Sequence, residues 1–380
     1  MTKPKRKILF TSHTANFHKF NRPLMRMWRG KLEKPYDDLN IGGWQVDYAC
    51  ANEEKVYDAD RVFTVDFARN PFRIDKHIKS YRQLKKILQN NHYDIVHTHT
   101  PVGSIVTRMA TKSFRKNNGL KVIYTCHGFH FYDGASKINW LLYYRAEKIM
   151  SKYTDLLITI NREDFKRADQ DFPCPTKMID GVGIDTTKFN TKLDKASKAK
   201  LRKEIGLEKD DFTIVYVAEF IDRKNHQMLL ESAANILRED AKIKIVLLGM
   251  GVLEEKIKNL ANELGIADQV LFLGYRNDVY NVLQCCNLCV STSKSEGLGL
   301  GVLEAALCGC SIIISDNRGH RDIVDDNKKY LFKLGNNEEL EKKMRKAIKN
   351  LDDYHLDFPE RYSLRSSLTE MKSIYEEFLK

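Results

Sequence analysis

Two glutamates flank a glycine-rich turn in the second half of the chain. Glu296 and Glu304 bound the segment Glu-Gly-Leu-Gly-Leu-Gly-Val-Leu-Glu, which follows the apolar run 288–290. If a helix begins at this turn, its free amides can hold a diphosphate, because glycine lets the backbone approach the anion without a Cβ. We expect those amides to come from Gly299, Leu300 and Gly301, and we include Leu298 among the donor-binding candidates. The carboxylates suit vicinal hydroxyls, so the segment is typical of a nucleotide-sugar site, although a plain strand–turn–helix with a solvated Glu304 would share the pattern.

Two adjacent cations follow an earlier apolar run. Arg223 and Lys224 come after the run 213–218, where a strand is expected to pass into a helix. Side chains at that position could neutralise a departing nucleoside diphosphate by direct pairing, and the simpler interpretation is ordinary loop charge. Comparable connections supply three further candidates for donor binding, Gly249, Gly251 and Arg276. A lone Gly-x-Gly is weak evidence, whereas an arginine in such a loop could stack on a base.

Histidines follow two apolar runs in the first half. His97 and His99 belong to His-Thr-His-Thr-Pro, and His127 and His130 to His-Gly-Phe-His-Phe. Both groups are predicted just beyond strand ends, where a substrate would lie, and we place His13 with them on the acceptor side. His127 could hydrogen-bond a sugar hydroxyl or stabilise developing charge, although an isolated histidine is more often structural. None has the spacing and the carboxylate partner of a metal site.

The composition is that of a soluble globular protein with room for two domains. The chain has 380 residues, of which 42% are hydrophobic and 30% charged. It contains no run of eighteen apolar residues and no apolar signal region after the first lysines, so we expect neither a membrane-spanning segment nor export by that route. Five of its eight cysteines fall between positions 285 and 310. We interpret them as buried, reduced thiols of a cytoplasmic protein, with a zinc site as the alternative.

The net charge of +12 is confined to the first half. Residues 1–185 contain 32 lysines and arginines against 20 acidic residues, whereas residues 186–380 contain 31 of each. The excess lies in three segments, residues 19–34, 73–86 and 108–121. A basic face favours anionic lipid headgroups or pyrophosphate-linked lipids, with solvated surface charge as the alternative. We expect no nucleic-acid partner, because no DNA- or RNA-binding signature accompanies the charge.

Short apolar runs alternate with helical patterns, which indicates an α/β protein built on parallel sheets with crossover helices. The predicted strands are 7–11, 45–49, 61–65, 94–97, 122–125, 156–159, 213–218, 243–248, 270–273, 288–290 and 311–314. The predicted helices are 74–89, 138–152, 227–237, 253–264, 279–285 and 302–308. The polar stretch 185–203 joins two Rossmann-like domains, residues 1–185 and 186–362, with ligands expected in a cleft between them. The stretch 30–43 is longer than a helix-to-strand link needs and predicts a surface loop.

These motifs together resemble a retaining family 4 glycosyltransferase of the GT-B architecture, in the bacterial branch that builds capsular, exopolysaccharide and other lipid-linked glycans. The Glu-x7-Glu block at 296–304 and the Arg-Lys loop at 223–224 are specific for the superfamily. The stretches 127–132 and 181–185 point to the branch. Further matches lie at 94–101, 139–144 and 154–161.

The resemblance implies a role for each site residue. Glu296 would contact the donor sugar, and Glu304 would accept hydrogen bonds from the ribose hydroxyls. Arg223 and Lys224 would bind the diphosphate, and His127 would lie near the donor sugar at the reaction centre. Glu296 and His127 are therefore the candidates for catalysis.

The resemblance also implies the reaction and the partners. A sugar, expected to be an N-acetylhexosamine, would pass with retention from a UDP-sugar to an undecaprenyl-pyrophosphate-linked glycan. The basic first domain would attach the protein peripherally to the anionic inner face of the cell membrane. No cofactor or metal is expected, and the Asp-x-Asp pairs at 58–60 and 169–171 are interpreted as surface residues. Residues 363–380 would form a helix that crosses back onto the first domain.

Two other function classes share the predicted fold. A nucleotide-sugar epimerase would keep the donor site but would need no acceptor and no basic face. A degenerate transferase acting as a membrane scaffold would keep the fold and lose the site residues. The charge asymmetry favours a transferase over the first, and the presence of both glutamates, both cations and His127 favours it over the second.

Overall fold

The computed structural model describes residues 6–51, 56–189 and 192–380, except for the side chain of Asn16. The chain divides into two compact units. The first unit contains the described residues up to Gly183 together with Leu364–Lys380, and the second contains Ile184–Ser363. Within the described ranges, no helix combines the length and apolarity that crossing a bilayer requires.

The first unit is built on a parallel sheet of seven strands. Their order is β3-β2-β1-β4-β5-β6-β7. The strands are β1 Lys7–Thr11, β2 Gln45–Cys50, β3 Arg61–Thr64, β4 Ile95–His99, β5 Lys121–Cys126, β6 Leu156–Thr159 and β7 Thr176–Met178. The helices are α1 His18–Arg29, α2 Ile74–Asn91, α3 Pro101–Asn118, α4 Lys137–Asn139, α5 Arg145–Ser151, α6 Arg162–Asp171 and the last helix of the chain, α14 Leu364–Leu379. Helix α2 packs against α3 and α3 against α5, while α1 packs against α14.

The second unit is built on a parallel sheet of six strands. Their order is β10-β9-β8-β11-β12-β13, so the strand order reverses between β8 and β11. The strands are β8 Phe212–Val217, β9 Ile243–Leu248, β10 Val270–Phe272, β11 Leu288–Ser291, β12 Ser311–Ser315 and β13 Leu331–Phe332. The helices are α7 Lys195–Glu204, α8 His226–Glu239, α9 Glu254–Glu263, α10 Val279–Leu283, α11 Leu300–Leu307, α12 Arg318–Ile323 and α13 Asn337–Lys349. The prediction of two Rossmann-like parallel sheets is confirmed, and the reversal is where such sheets bind ligands.

The described residues of the polar stretch 185–203 are more ordered than a linker. It contains the 3₁₀ turn Thr186–Phe189 and most of α7, which begins at the cap Asp194. The buried Arg202 of α7 donates to the carbonyl oxygens of Cys285 and Asp211, at 2.7 and 2.8 Å. The run of lysines hid this helix from pattern analysis, because its apolar face is narrow.

The predicted surface loop at 30–43 is fixed at several points. The Asn40 side chain accepts from the amide of Leu32 and donates to its carbonyl oxygen, which closes the loop on itself. From α14, Arg365 pairs with Asp38 at 3.1 Å and Lys372 donates to the Asp38 carbonyl oxygen at 2.9 Å. The last helix therefore holds this loop in the first unit.

Candidate functional site

A buried carboxylate holds the two predicted cations together beyond the ends of β8 and β11. Glu296 Oε2 accepts a 3.0 Å hydrogen bond from Arg223 Nη1, and Oε1 pairs with Lys224 Nζ. Glu296 is 8% exposed, whereas the Arg223 side chain is 47% exposed. Burial raises the pKa of Glu296, but the facing charges of Lys224 and Arg223 outweigh it and lower the pKa to about 2. The three groups keep a net positive charge that reaches solvent at Arg223, which suits an anionic ligand.

Hydrogen bonds join the two loops that carry these groups. Lys294 N donates to Arg223 O over 2.8 Å, and Thr292 Oγ1 donates to Asn225 O over 2.8 Å. The loop after β11 therefore stabilises the loop after β8 through these hydrogen bonds. Because the polar groups satisfy one another, the positions of Arg223 and Lys224 are set before any ligand arrives.

The glycine-rich turn enters α11 at Gly299. Its φ of +113° lies where side chains are disfavoured, and a Cβ on Gly299 would lie 3.0 Å from His320 Cδ2. A Cβ on Gly301 would lie 3.1 Å from the carbonyl oxygen of Val217. Within the described residues, the amides of Gly299, Leu300 and Gly301 donate no hydrogen bond. This helix start therefore presents donors of the kind that an oxyanion accepts.

His320 lies beneath the turn and was missed by sequence analysis. Its Nδ1 lies 2.9 Å from the carbonyl oxygen of Ser315, and its Nε2 lies 3.3 Å from Ser291 Oγ. Burial lowers the pKa of His320 to about 4, although the Glu296 carboxylate acts in the opposite direction. A neutral, fully buried imidazole thus supports Gly299. The sequence signal was an Asn-Arg-Gly-His helix start directly after a strand, which resembles any capped helix.

Glu304 has a different environment from Glu296. It lies half-buried on α11, and within the described residues its carboxylate has no hydrogen-bond or ion-pair partner. Burial raises the pKa of Glu304 to about 7. The carboxylate follows the helix start that carries the free amides, and it can accept two hydroxyl groups.

Three other donor-binding candidates have local structural roles. A Cβ on Gly249 would lie 2.1 Å from Ala218 O, and a Cβ on Gly251 would lie 2.5 Å from Phe220 O. The turn after β9 therefore packs, backbone on backbone, against the segment that leads to Arg223. Arg276 is held by Asp278 through two hydrogen bonds of 2.8 and 2.6 Å. Their contact with a donor remains a prediction.

His97, predicted on the acceptor side, is a core residue, and that prediction is corrected. It is fully buried, because its strand is covered on both faces. Its Nε2 lies 2.8 Å from Thr125 Oγ1 and its Nδ1 lies 2.9 Å from the hydroxyl of Tyr375 in α14. Burial lowers the pKa of His97 to about 3. His97 therefore ties the last helix to the sheet and has no surface for a substrate.

Two other histidines form a neutral pair at the carboxyl ends of β4 and β5. His99 Nδ1 lies 3.1 Å from His127 Nε2, so one ring donates to the other. His99 is 1% exposed and His127 is half-buried, and burial lowers the pKa of His127 to about 4. The pair puts His127 at the accessible end and His99 behind it. Within the described residues, the buried Nε2 of His99 has no hydrogen-bond partner.

The remaining histidine candidates, His13 and His130, have different local contacts. The half-buried His13 donates its amide to Thr100 Oγ1 over 3.2 Å, and its pKa is lowered by burial and by Arg69. His130 is exposed and meets the ring of Tyr143 edge-on at 4.6 Å. The two side chains thus stand in different surroundings.

Backbone strain marks the end of β4. Thr100 has a φ of +67°, a region that β-branched residues rarely enter and that costs about 1–3 kcal/mol. Its carbonyl oxygen accepts the amide of Ser104 in the first turn of α3. Such strain clusters at functional sites, and the Thr-Pro pair after a histidine-rich strand was the only sequence signal for it.

The predicted basic segments are only partly basic surface. Arg108 is 1% exposed and pairs with the equally buried Glu147 at 2.7 Å, so its place in a basic face is corrected. In segment 19–34, Arg22 pairs with Asp58 at 2.5 Å and Arg29 with Asp60 at 2.6 Å. These two carboxylates form the Asp-x-Asp pair at 58–60, and both are engaged in ion pairs with arginines.

The cysteines lie within the packed interior. All eight are free, and seven are buried. Cys310 Sγ approaches the carbonyl oxygen of Leu283 at 3.2 Å, and Cys286 Sγ approaches that of Val282 at 3.2 Å. In the ranges that the structure describes, no group of three metal-binding side chains is present.

Comparison with known proteins identifies both halves of the chain. A family model described as glycosyl transferases group 1 matches residues 197–361, and one described as glycosyl transferase 4-like matches residues 7–161. The putative glycosyltransferase EpsD of Bacillus subtilis is 40% identical over 296 residues, covering 77% of each chain. An Escherichia coli enzyme, the UDP-Gal:α-D-GlcNAc-diphosphoundecaprenol α-1,3-galactosyltransferase, is 29% identical over 272 residues, covering 70% of this chain and 69% of its own.

Solved structures share the fold. The crystal structure of Anabaena HepE in complex with UDP and glucose has a TM-score of 0.71, covers 97% of this chain and 95% of its own, and is 19% identical. At that identity the likeness establishes the architecture alone, which is GT-B.

Proposed function

Because the chain belongs to the GT4-type glycosyltransferases, we propose that it transfers an N-acetylhexosamine from a UDP-sugar, with retention, to a lipid-linked glycan in surface-polysaccharide synthesis. The observation that supports this proposal most directly is the arrangement of charged groups and free amides around the segment 296–304. The turn carries free helix amides, Glu296 before it holds the net-positive cluster with Arg223 and Lys224, and the Glu304 carboxylate after it has no partner among the described residues.

The diphosphate fits the charged side of this arrangement. Arg223 and Lys224 supply direct pairing, and the amides of Gly299 to Gly301 supply hydrogen bonds without reorganisation. Glu296 orients both cations, and each of its oxygens keeps a lone pair for a sugar hydroxyl. Its low pKa keeps it ionised, so it remains an acceptor throughout the neutral range.

The ribose fits Glu304. An ionised carboxylate accepts hydrogen bonds from two vicinal hydroxyls, and this one has no competing partner among the described residues. Hydrogen bonds from the ribose hydroxyls stabilise the ionised form of the carboxylate. Ribose binding therefore lowers the pKa of Glu304 from its value of about 7.

The reaction then follows from charge stabilisation. The bond between the anomeric carbon and the β-phosphate oxygen breaks, and an acceptor oxygen bonds to the same face of that carbon. The acceptor proton passes to the leaving phosphate oxygen, so no metal or separate base is required. Arg223, Lys224 and the helix amides stabilise the negative charge that develops on the diphosphate.

A lipid-linked acceptor is supported by the relatives and by the charge distribution. The E. coli relative acts on a diphosphoundecaprenol-linked sugar, and the excess positive charge of this chain lies in its first half. We place the reaction at the inner face of the cell membrane, with the first unit attached peripherally. An epimerase has no lipid-linked acceptor, so the excess positive charge of the first half would have no function in it.

A thermal-shift titration with UDP, GDP and ADP tests the nucleotide assignment, with Glu304→Ala run in parallel. UDP is expected to raise the Tm selectively, and the shift is expected to disappear in the variant. An equal UDP shift in both proteins would contradict the ribose assignment. The absence of any nucleotide shift would favour a degenerate scaffold.

A further inference from the structure

An exposed apolar stripe runs along the helical segment 137–151, which comprises α4, the π-helical turn Trp140–Tyr144 and α5. Its four aliphatic side chains are strongly exposed: Ile138 66%, Leu141 51%, Leu142 43% and Ile149 53%. Their spacing of three, four and seven residues puts them on one helical face. Solvated isoleucine and leucine side chains in such a row indicate a contact with another apolar phase.

The opposite face of the segment is a normal core face. Tyr144 meets the ring of the buried Phe131 edge-on at 5.4 Å, and Glu147 accepts from Arg108 inside the unit. The segment is therefore anchored by its buried face, and the apolar stripe is not a displaced core surface.

Along the segment itself, the exposed charges are all positive. The exposed charged residues from 137 to 152 are Lys137, Arg145, Lys148 and Lys152. Within the described residues, none of them pairs with a carboxylate. The single acid of the span, Glu147, is 3% exposed. A row of aliphatic side chains bordered by cations that have no carboxylate partner among the described residues is the pattern of a helix that lies in an anionic membrane interface.

The neighbouring helices extend the same character. In α3, Met109 is 49% exposed, and Lys112 lies 4.8 Å from the ring centroid of Tyr153. In α2, Ile78 is 48% exposed. Since α2 packs against α3 and α3 against α5, two of the three basic segments belong to the helical layer that carries the stripe.

We infer that the segment 137–152 docks on the anionic lipid surface, with Ile138, Leu141, Leu142 and Ile149 entering the acyl boundary and the cations binding lipid phosphates. A symmetric contact with a second copy is less favourable, because a two-fold interface would bring the same four cations together. The inference rests on the proposed function in one respect, since a lipid-linked acceptor gives the docking its purpose. The inference narrows the membrane contact from a diffuse basic face to one helical segment. That segment would insert apolar side chains into the lipid in addition to attracting anionic headgroups.

Vesicle flotation tests this inference, with phosphatidylglycerol mixed into phosphatidylcholine and with pure phosphatidylcholine as the reference. The wild-type protein is expected to bind the anionic vesicles and to stay partly bound at high salt. The triple variant I138S/L141S/L142S is expected to bind at low salt and to be released by high salt, because only attraction remains.

Charge variants complete the test. Removing three cations in R145S/K148S/K152S is expected to weaken partitioning at low salt by on the order of a hundredfold, at about 1 kcal/mol per cation. The matched control K342S/K346S/K349S removes three exposed lysines from α13 in the second unit and is expected to bind like the wild type. Equal losses in both charge variants would overturn the inference, as would salt-resistant binding by the serine triple.

Two further readouts separate the possible explanations. An unchanged Tm shows that each variant is folded, which is expected because the replaced side chains are exposed. If the wild-type protein is a dimer that I138S/L141S/L142S converts to a monomer without any vesicle binding, the stripe serves a second copy and the inference is overturned. UDP stabilisation is read on the same proteins, so a failure of the nucleotide site is distinguishable from a failure of docking.

Discussion

At the scale of single residues, two glutamates of one motif have opposite electrostatic surroundings. Glu296 faces Lys224 and Arg223, and its pKa falls to about 2 in spite of burial. Glu304 faces no charge partner among the described residues, and burial raises its pKa to about 7. The first is a fixed anion that positions cations, whereas the second titrates near neutrality.

UDP affinity should therefore depend on pH through Glu304. In the proposed function the ionised form binds the ribose, so affinity is expected to be retained above the free-protein pKa of about 7 and to fall as the pH drops below it. The expected loss is roughly tenfold between pH 8 and pH 6, measured by calorimetry. Glu304→Gln is the control, since it keeps only the titration of the nucleotide phosphate. The same pH profile in both proteins would contradict the assignment.

Removing the Glu296 charge should destabilise the second unit. In Glu296→Gln, Arg223 and Lys224 lose their shared carboxylate, and the expected cost is about 1–3 kcal/mol because a partly buried charge loses its partner. Thermal melting would show a lower Tm. A Tm within error of the wild type would show that the cluster has no positioning role.

At the scale of elements, the turn after β9 shapes the site from a distance. Gly249 has a φ of +141°. A Cβ added at this position would lie only 2.1 Å from the carbonyl oxygen of Ala218. This packing holds the segment from β8 to the Arg223 loop, so a side chain at Gly249 would move the cations.

Gly249→Ala should be far more damaging than an ordinary glycine replacement. We expect the free energy of unfolding to fall by about 3 kcal/mol or more, because the cost of overpacking adds to the cost of backbone strain. Gly309→Ala is the matched control, because Gly309 also has a positive φ of +86° but faces open space. Its expected cost is about 1 kcal/mol. Equal Tm losses in the two variants would refute the packing argument.

Most strands of the two sheets could be predicted from sequence, because a parallel strand buried on both faces is a run of apolar residues. Strand β1 was predicted at its observed bounds, as were β6 and β9. Strands β7 and β13 have three and two residues, too few for any periodicity. Helix α7 was missed because its lysines conceal the face that carries Arg202.

The candidate site was predictable where chemistry depends on residue type and spacing. Glu296, Arg223 and Lys224 do meet, as their positions beyond neighbouring strands implied. Burial is what the sequence could not supply. It makes His97 a core residue joined to Tyr375, and it puts His320 beneath Gly299.

At the scale of the whole molecule, the two units have separate sheets and separate electrostatics. The second unit carries the candidate nucleotide site and is nearly neutral, since residues 184–363 hold 28 basic and 29 acidic residues, a difference of −1. The first unit carries the histidine pair, the strained Thr100 and the apolar stripe. Under the proposed function, nucleotide binding belongs to one sheet and lipid contact to the other.

Hydrogen exchange should display that division. UDP is expected to protect the amides of residues 222–226 and 296–304, because the proposed function places the diphosphate and the ribose at those loops. Anionic vesicles are expected to protect residues 137–152 in the first unit. Protection by UDP confined to the first unit would contradict the assignment of the site.

The most direct test of the central claim is a transfer assay with UDP-N-acetylhexosamines and a diphosphoundecaprenol-linked sugar in anionic vesicles. We predict UDP release coupled to an elongated lipid-linked product whose new bond keeps the anomeric configuration of the donor. Conversion of the UDP-sugar into its epimer without acceptor, or consumption of no UDP-sugar at all, would contradict the account.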